Sequence, residues 1–255
     1  MDPLKKKRKR LKKFFSKDGK TVLLVFDHAV EHGPHNYEGV DLTPLRIAEI
    51  AVSGGAKGVI LHAGSAKLVK QFYPELPVIV KITGRTSLTP TMVQEIVTTV
   101  EEAERVGADG IAMTVYVGAT YEHKMLRNLA EVKKECYERG LPLFTFMYPR
   151  VKDKKTTEEK YVRYAARLGA ELGVDVVKTY YTGDKKSFSK VVKDCFVPLV
   201  CAGGLKTKTV EDFLKKVETV MEAGASGLAV GRNVWMRENP IEVLKQVVKR
   251  VIKGE

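Results

Sequence analysis

Eight short, β-branched apolar segments alternate with eight segments of helical periodicity from residue 20 onward, and no other feature restricts the fold of this chain as much. The strand-like segments are Val22–Asp27, Gly58–His62, Val78–Ile82, Gly110–Tyr116, Leu143–Tyr148, Val174–Thr179, Pro198–Ala202 and Gly227–Val230. Between and after them lie Thr43–Ser53, Ser65–Phe72, Thr91–Val106, Tyr121–Arg139, Thr157–Leu172, Lys185–Asp194, Val210–Ala223 and Ile241–Ile252, which read as helices. Runs this short and apolar suit parallel strands covered on both faces, each followed by a helical crossover. Strict alternation without slack predicts an α/β protein, a closed (β/α)8 TIM barrel rather than an open sheet. The helix ends agree. Val52-Ser53-Gly54-Gly55-Ala56, Val106-Gly107-Ala108-Asp109-Gly110, Leu172-Gly173-Val174-Asp175 and Ala223-Gly224-Ala225-Ser226-Gly227 each put glycine past a helix with a strand directly behind it. That is the tight turn such barrels use. Pro77, Pro142 and Pro198 stand at strand starts, where a missing N–H is tolerated.

A length of 255 residues suits one barrel, so residues 20–255 are read as a single catalytic domain and residues 1–19 as a basic N-terminal arm. The net charge of +13 is concentrated there: residues 1–20 hold ten Lys/Arg against Asp2 and Asp18, leaving +5 for the other 235 residues. The run Lys5-Lys6-Lys7-Arg8-Lys9-Arg10-Leu11-Lys12-Lys13-Phe14-Phe15 could meet nucleic-acid phosphates or act as an import signal. It reads better as a solvated, partly helical lead-in whose Leu11, Phe14 and Phe15 dock on the barrel. No stacking platform or groove-reading element accompanies it, and a nucleic-acid partner is not expected. No apolar run approaches the ~20 residues needed to span a bilayer, and no secretory h-region follows the basic start, so a soluble, cytoplasmic protein is expected. Cys136, Cys195 and Cys201 are too widely spaced for a metal motif or a disulfide framework, in keeping with a reducing compartment.

In a TIM barrel, chemistry sits at the C-terminal ends of the strands. Those ends deliver Asp27-His28, Lys81, Tyr148-Pro149-Arg150, Lys178, Ala202-Gly203-Gly204 and Val230-Gly231-Arg232-Asn233. Lys178 ends an apolar strand. Taken alone, such a lysine more often just reaches water. In apolar surroundings its pKa falls, and an unprotonated amine can attack a carbonyl to form a Schiff base. The Gly203-Gly204 and Gly231-Arg232 pairs, after the seventh and eighth strands, suit a phosphate cradle of backbone N–H groups with an arginine beside it. Many barrel families share that grip. Asp27 and Tyr148 complete the constellation as an acid/base pair.

With those residues in place the chain resembles the archaeal-type class I fructose-bisphosphate aldolases over nearly all of residues 20–240. The resemblance rests on Phe26-Asp27-His28-Ala29-Val30-Glu31-His32-Gly33-Pro34, Met147-Tyr148-Pro149-Arg150, and Val177-Lys178-Thr179 with Tyr181-Thr182-Gly183-Asp184. It continues in Gly203-Gly204 through Lys206-Thr207-Lys208-Thr209 and in Gly231-Arg232-Asn233-Val234-Trp235. It implies a lyase of glycolysis and gluconeogenesis that cleaves or forms fructose 1,6-bisphosphate. Lys178 would be the Schiff-base lysine, Tyr148 the general acid/base, and Asp27 the carboxylate assisting proton transfers. Gly203, Gly204, Gly231 and Arg232 would hold phosphate, with His28 and Lys81 as further substrate contacts. No cofactor or metal is implied, since a protonated imine is itself the electron sink. The partner is a small sugar phosphate, and the assembly a homo-oligomer, a ring-shaped decamer being one candidate form.

Two positions depart from the glycolytic pattern. Phe146 stands where those members carry tryptophan, and Val151 follows Pro149-Arg150 where glycine is usual, ahead of Lys152-Asp153-Lys154-Lys155. Both touch the aldehyde side. A sister group with the same lysine, 2-amino-3,7-dideoxy-D-threo-hept-6-ulosonate synthase, resembles the Val177-Lys178-Thr179 segment at least as well. The first-strand loop, and Tyr121-Glu122-His123-Lys124-Met125, are closer to the aldolase. Lys81 reads either as a cation that tunes Lys178 or contacts a second phosphate, or as a structural ion-pair partner of Asp27 or Asp109. His28, His32 and His35 crowd one loop without the carboxylates a metal site needs. Cys201 reads as a small buried strand residue, and Tyr180 and Tyr181 as either bordering the site or packing outside the barrel.

Overall fold

In a strand, alternate side chains point to opposite faces, and a barrel turns one set inward. The computed structural model, described over residues 2–34, 40 and 42–252, shows that sorting directly. The strands are β1 (Thr21–Phe26), β2 (Gly58–Leu61), β3 (Val78–Lys81), β4 (Thr83–Gly84), β5 (Glu95–Ile96), β6 (Gly110–Val117), β7 (Leu143–Pro149), β8 (Val176–Thr179), β9 (Leu199–Ala202) and β10 (Gly227–Val230). All but β4 and β5 form a closed barrel, in the order β1-β2-β3-β6-β7-β8-β9-β10 and back to β1. Every barrel pairing is parallel. The expected (β/α)8 barrel is the fold.

Leu23, Val25, Ile60, Ile79, Ala112, Phe144, Phe146, Val176, Val200 and Ala229 form the interior layer, drawn from all eight barrel strands. Moving two residues on from this set reaches Asp27, His62, Lys81, Thr114, Tyr148, Lys178, Ala202 and Gly231. The packed layer is therefore the floor on which the strand ends stand. The opposite set, including Val22, Leu24, Val59, Leu61, Val78, Val80 and Val177, packs against the surrounding helices.

The helices are α1 (Pro3–Lys12), α2 (His28–His32), α3 (Pro44–Gly54), α4 (Ala63–Phe72), α5 (Val100–Arg105), α6 (Glu122–Arg139), α7 (Glu159–Glu171), α8 (Lys185–Asp194), α9 (Val210–Glu222), α10 (Arg232–Trp235) and α11 (Pro240–Val251). In the basic arm, Asp2 caps α1 by accepting from the Leu4 N–H, with Pro3 in the first turn. Four of its cations are tied to the barrel's base: Lys6 and Arg10 to Glu104, Lys7 to Asp175, and Lys13 to Asp109. Phe14 is fully buried and meets Phe144 edge-on at 5.3 Å, with Leu11 and Phe15 packed beside it. Gly58 leaves room for this ring, since a Cβ there would stand 3.0 Å from Phe14 and 2.8 Å from the Pro77 carbonyl.

Two segments differ from the sequence reading. Thr91–Val106 is not one helix: β5 pairs antiparallel with β4, and the helix is confined to α5. The Val97 and Thr98 N–H groups both donate to the Ile82 carbonyl, holding this β-branched stretch extended until Thr99 caps the helix by accepting from Glu102. The segment after β1, read as a loop, begins with the single helical turn α2, ended by Gly33 at φ 64°. His35 lies outside the described residues.

Candidate active site

All nine candidate residues line one cavity of about 230 Å³ at the C-terminal end of the barrel: Lys178, Tyr148, Asp27, His28, Lys81, Gly203, Gly204, Gly231 and Arg232. Phe146, Arg150, Tyr116, Tyr180 and Glu31 line it as well. Four cations, Lys81, Arg150, Lys178 and Arg232, face two carboxylates, Asp27 and Glu31, so the chamber suits an anion.

Lys178 is 7% exposed and pairs across the sheet with Phe146, whose ring centroid lies 3.8 Å from the amine. Lys81 approaches the same ring to 5.2 Å. Burial lowers the Lys178 pKa, the Asp27 carboxylate partly restores it, and the Lys81 charge lowers it again, to about 8. About one amine in ten is then unprotonated at pH 7, roughly 300-fold more than for an ordinary lysine. Asp27 lies 3.5 Å from Lys81 Nζ and 3.4 Å from His28 Nδ1. Burial alone would raise its carboxyl; Lys81, His28 and Lys178 overcome this and hold it ionised, well below the usual range. Lys81 thus pairs with Asp27. Asp109 is occupied at the barrel's base by Lys13, Lys70 and the Val78 N–H. His62 sits behind the pair, its pKa pushed down to about 4 by burial and by Lys81, and is neutral.

Tyr148 stacks on Tyr180 with ring centroids 4.2 Å apart and planes 7° from parallel. Burial, Tyr180 and the Asp27 charge push its phenol well above the ordinary value, so it keeps its proton in the resting site. Arg150 donates to the Tyr180 hydroxyl at 2.7 Å and to the Pro149 carbonyl at 2.8 Å, with its guanidinium 4.6 Å from the Tyr116 ring. Tyr116 donates to Glu31 at 3.2 Å and accepts from Gln94 at 2.9 Å, while Arg85 pairs with Glu31 at 3.2 Å. This network ties α2 to the β4–β5 hairpin. Tyr181, by contrast, turns outward onto Phe188.

On the other side of Lys178, the two glycine loops are stapled together. Asn233 is fully buried; its amide donates to the Gly203 and Leu205 carbonyls, and its Oδ1 accepts from the Thr207 N–H. Lys216 also donates to the Gly203 carbonyl at 2.9 Å. The Gly203 N–H is already committed to the Ala229 carbonyl, so this glycine does not offer its amide to an anion, contrary to the expectation for it. Its contribution is close approach: a Cβ would stand 3.2 Å from Val230 Cα. Gly204 adopts φ 81°, and a Cβ on Gly231 would stand 3.1 Å from the Val25 carbonyl. Trp235 fixes that carbonyl by donating to it at 3.0 Å. Among the described residues, no group of three or more His, Cys, Asp or Glu side chains is placed to hold a metal ion. Cys201 is fully buried in β9, its thiol pushed up to about 12 by that burial.

Tyr116 and Glu31 are not singled out for the site by sequence, Arg150 is named there only as a strand end, and Tyr180 reads as either bordering the site or packing outside the barrel. Counting by two from the inward residues would have reached three of them: Ala112 leads to Thr114 and Tyr116, Tyr148 to Arg150, and Lys178 to Tyr180. Glu31, on the helical turn α2, carries no such signal.

A family model described as DeoC/LacD family aldolase matches residues 21–237. The class 1 fructose-bisphosphate aldolase of Thermoproteus tenax is 40% identical over 252 residues, covering 95% of this chain and 94% of that one. The 2-amino-3,7-dideoxy-D-threo-hept-6-ulosonate synthase 1 of Archaeoglobus fulgidus is 37% identical over 241 residues, covering 94% and 88%. A solved archaeal fructose-1,6-bisphosphate aldolase, with its catalytic lysine covalently bound to the carbinolamine intermediate, superposes with a TM-score of 0.90 at 39% identity, covering 96% and 99%. The nine candidate residues line one cavity of one barrel, and the chain belongs to the DeoC/LacD aldolase family.

Proposed function

We propose that this protein is a class I aldolase that cleaves and forms fructose 1,6-bisphosphate through a Schiff base on Lys178. The observation that carries the reading is a buried lysine in the same chamber as the Asp27–Lys81 ion pair, Tyr148 and the glycine loops, its pKa lowered to about 8 by burial and Lys81 against the pull of Asp27. The unprotonated amine adds to the ketone carbon, and loss of water gives an iminium that withdraws electrons from the bond to be broken. Asp27 lies beside the amine to relay protons during carbinolamine formation and loss. Tyr148 takes the hydroxyl proton as the aldehyde leaves. Its phenol is protonated in the resting site, so it first gives that proton to the hydroxyl leaving the carbinolamine as water; the phenolate, stabilised by the positive iminium, is then the base that takes the substrate hydroxyl proton.

The phosphate next to the ketone would rest against Gly203, Gly204, Gly231 and Arg232, with His28 and Lys81 as further contacts. Arg150 leaves β7, on the other side of the Lys178 strand from those loops, and would meet the second phosphate. Anchoring both ends aligns the ketone with the amine.

Borohydride reduction with dihydroxyacetone phosphate, followed by peptide mass mapping, tests the assignment. The adduct is expected on Lys178; no adduct, or one on Lys81, overturns it. Tyr148→Phe should still be trapped but cleave about 100-fold or more slowly. The kinship with the heptulosonate synthase makes the aldehyde the point to assay next: glyceraldehyde 3-phosphate should be accepted and aspartate semialdehyde should not. We also propose a cytoplasmic homo-oligomer. Tyr164 and Phe196 are more than 60% exposed, apolar surface that a contact between copies would cover. Sedimentation velocity measures it.

A further inference from the structure

Tyr180 is a cavity residue that the proposed mechanism leaves unused, and it touches two that the mechanism needs. It lies two residues beyond Lys178, so the barrel's inward parity brings it to the chamber wall, while Thr179 between them turns outward and donates to the Met147 carbonyl at 2.8 Å. One face of its ring lies flat against Tyr148 at 4.2 Å. Its hydroxyl accepts from Arg150 at 2.7 Å. The same guanidinium lies 5.4 Å from the Tyr180 ring and 5.9 Å from the Tyr148 ring, which restrains it from the side as well.

We infer that Tyr180 is a specificity-determining positioning residue, a clamp holding Tyr148 for proton transfer and Arg150 for the distal phosphate of a bisphosphorylated ketose. The inference rests on the aldolase reading above. Its logic is geometric. A stacked ring leaves Tyr148 free to slide little and tilt less, so the phenol oxygen keeps its place relative to the Lys178 amine. Arg150, bonded through one terminal nitrogen to Tyr180 and through the other to Pro149, holds a fixed orientation, so little side-chain freedom is lost when an anion arrives. The Tyr180 hydroxyl accepts from Arg150, and its own proton remains available for a phosphate oxygen. One side chain thereby couples the proton-transfer group to recognition of an anion at the far end of the substrate.

Two variants separate the two contacts. Tyr180→Phe keeps the stack and removes the hydroxyl; Tyr180→Leu removes both. With fructose 1,6-bisphosphate, Tyr180→Phe should raise KM about tenfold, the effect of losing a hydrogen bond to a charged group. With fructose 1-phosphate, which has no distal phosphate, its kcat/KM should change no more than about twofold. Tyr180→Leu should lower kcat at least tenfold on both substrates, while borohydride with dihydroxyacetone phosphate still labels Lys178. Phenylalanine, which keeps the stack, should restore most of the kcat that leucine loses. Equal KM changes on both substrates in Tyr180→Phe, or an undiminished kcat in Tyr180→Leu, would overturn the clamp. A wild-type enzyme that neither cleaves fructose 1,6-bisphosphate nor is labelled at Lys178 would instead overturn the aldolase reading, and the clamp with it.

Discussion

Lys178→Met should stabilise the protein at neutral pH, and the size of the gain should depend on pH in a way the site dictates. The amine has a pKa of about 8 in the fold and 10.5 as its ordinary value. A folded value below the unfolded one means that folding disfavours the cation, so below pH 8 the wild-type fold carries the full cost of holding it. That cost is about 3 kcal/mol. Between pH 8 and 10.5 the unfolded chain binds more protons than the native one, so wild-type stability rises with pH relative to the variant. Methionine is close in length, apolar, and can pack against Phe146 without a charge. The variant's advantage should therefore be about 3 kcal/mol at pH 7, about 2 at pH 9 and about 1 at pH 10, plus any contribution from added apolar burial that does not vary with pH. Urea denaturation of both proteins at those three pH values reads the difference, provided both show one transition with equal slopes. An advantage that stays constant from pH 7 to 10 would refute the argument. It would mean that Lys178 titrates alike in both states, and the proposed source of its nucleophilicity would be gone. A loss of turnover accompanying a gain of stability is what a functional strain predicts.

Asp27→Asn should shift the pH dependence of borohydride trapping to lower pH, because Asp27 raises the Lys178 pKa while burial and Lys81 lower it; trapping rates from pH 5 to 9 measure this, and turnover should fall. Asn233→Ala should cost about 1–3 kcal/mol by leaving the Gly203 and Leu205 carbonyls and the Thr207 N–H short of partners. It should also raise KM for the phosphorylated ketose, which steady-state assays read. Phe14→Ala should cost about 3–5 kcal/mol in urea denaturation while leaving KM within about twofold, since the ring lies below the floor of the site.

What the chain alone could reveal follows from the range of the interactions involved. The barrel was legible because each βα unit carries its own apolar period and its own glycine stop. Lys178, Tyr148 and Asp27 were legible because each ends a strand. The segment 91–106 was misread because Val97, Thr98 and Thr99 fit either a helix or an extended strand, and the deciding hydrogen bonds go to Ile82, outside the window. Gly203 was assigned an open amide because its bond to Ala229 exists only once β9 and β10 lie side by side. Tyr180 and Tyr181 read either way by sequence, although strand parity separates them: Lys178 faces the cavity, so Tyr180, two residues on, does too, while Tyr181 turns outward onto Phe188.

The interior layer beneath the site takes residues from all eight barrel strands, and Phe14, which joins that layer from below, precedes every one of them in the chain. β1 closes the ring by pairing with β10, so Thr21 meets Gly227. Phe14 therefore has no complete seat until the last strand is in place. Contacts so distant in sequence form slowly. A side chain seated this way works as a latch on the closed barrel: only the whole ring of strands offers Phe14 its seat, and Phe14 in turn fills the floor beneath Lys178 from the side opposite the cavity.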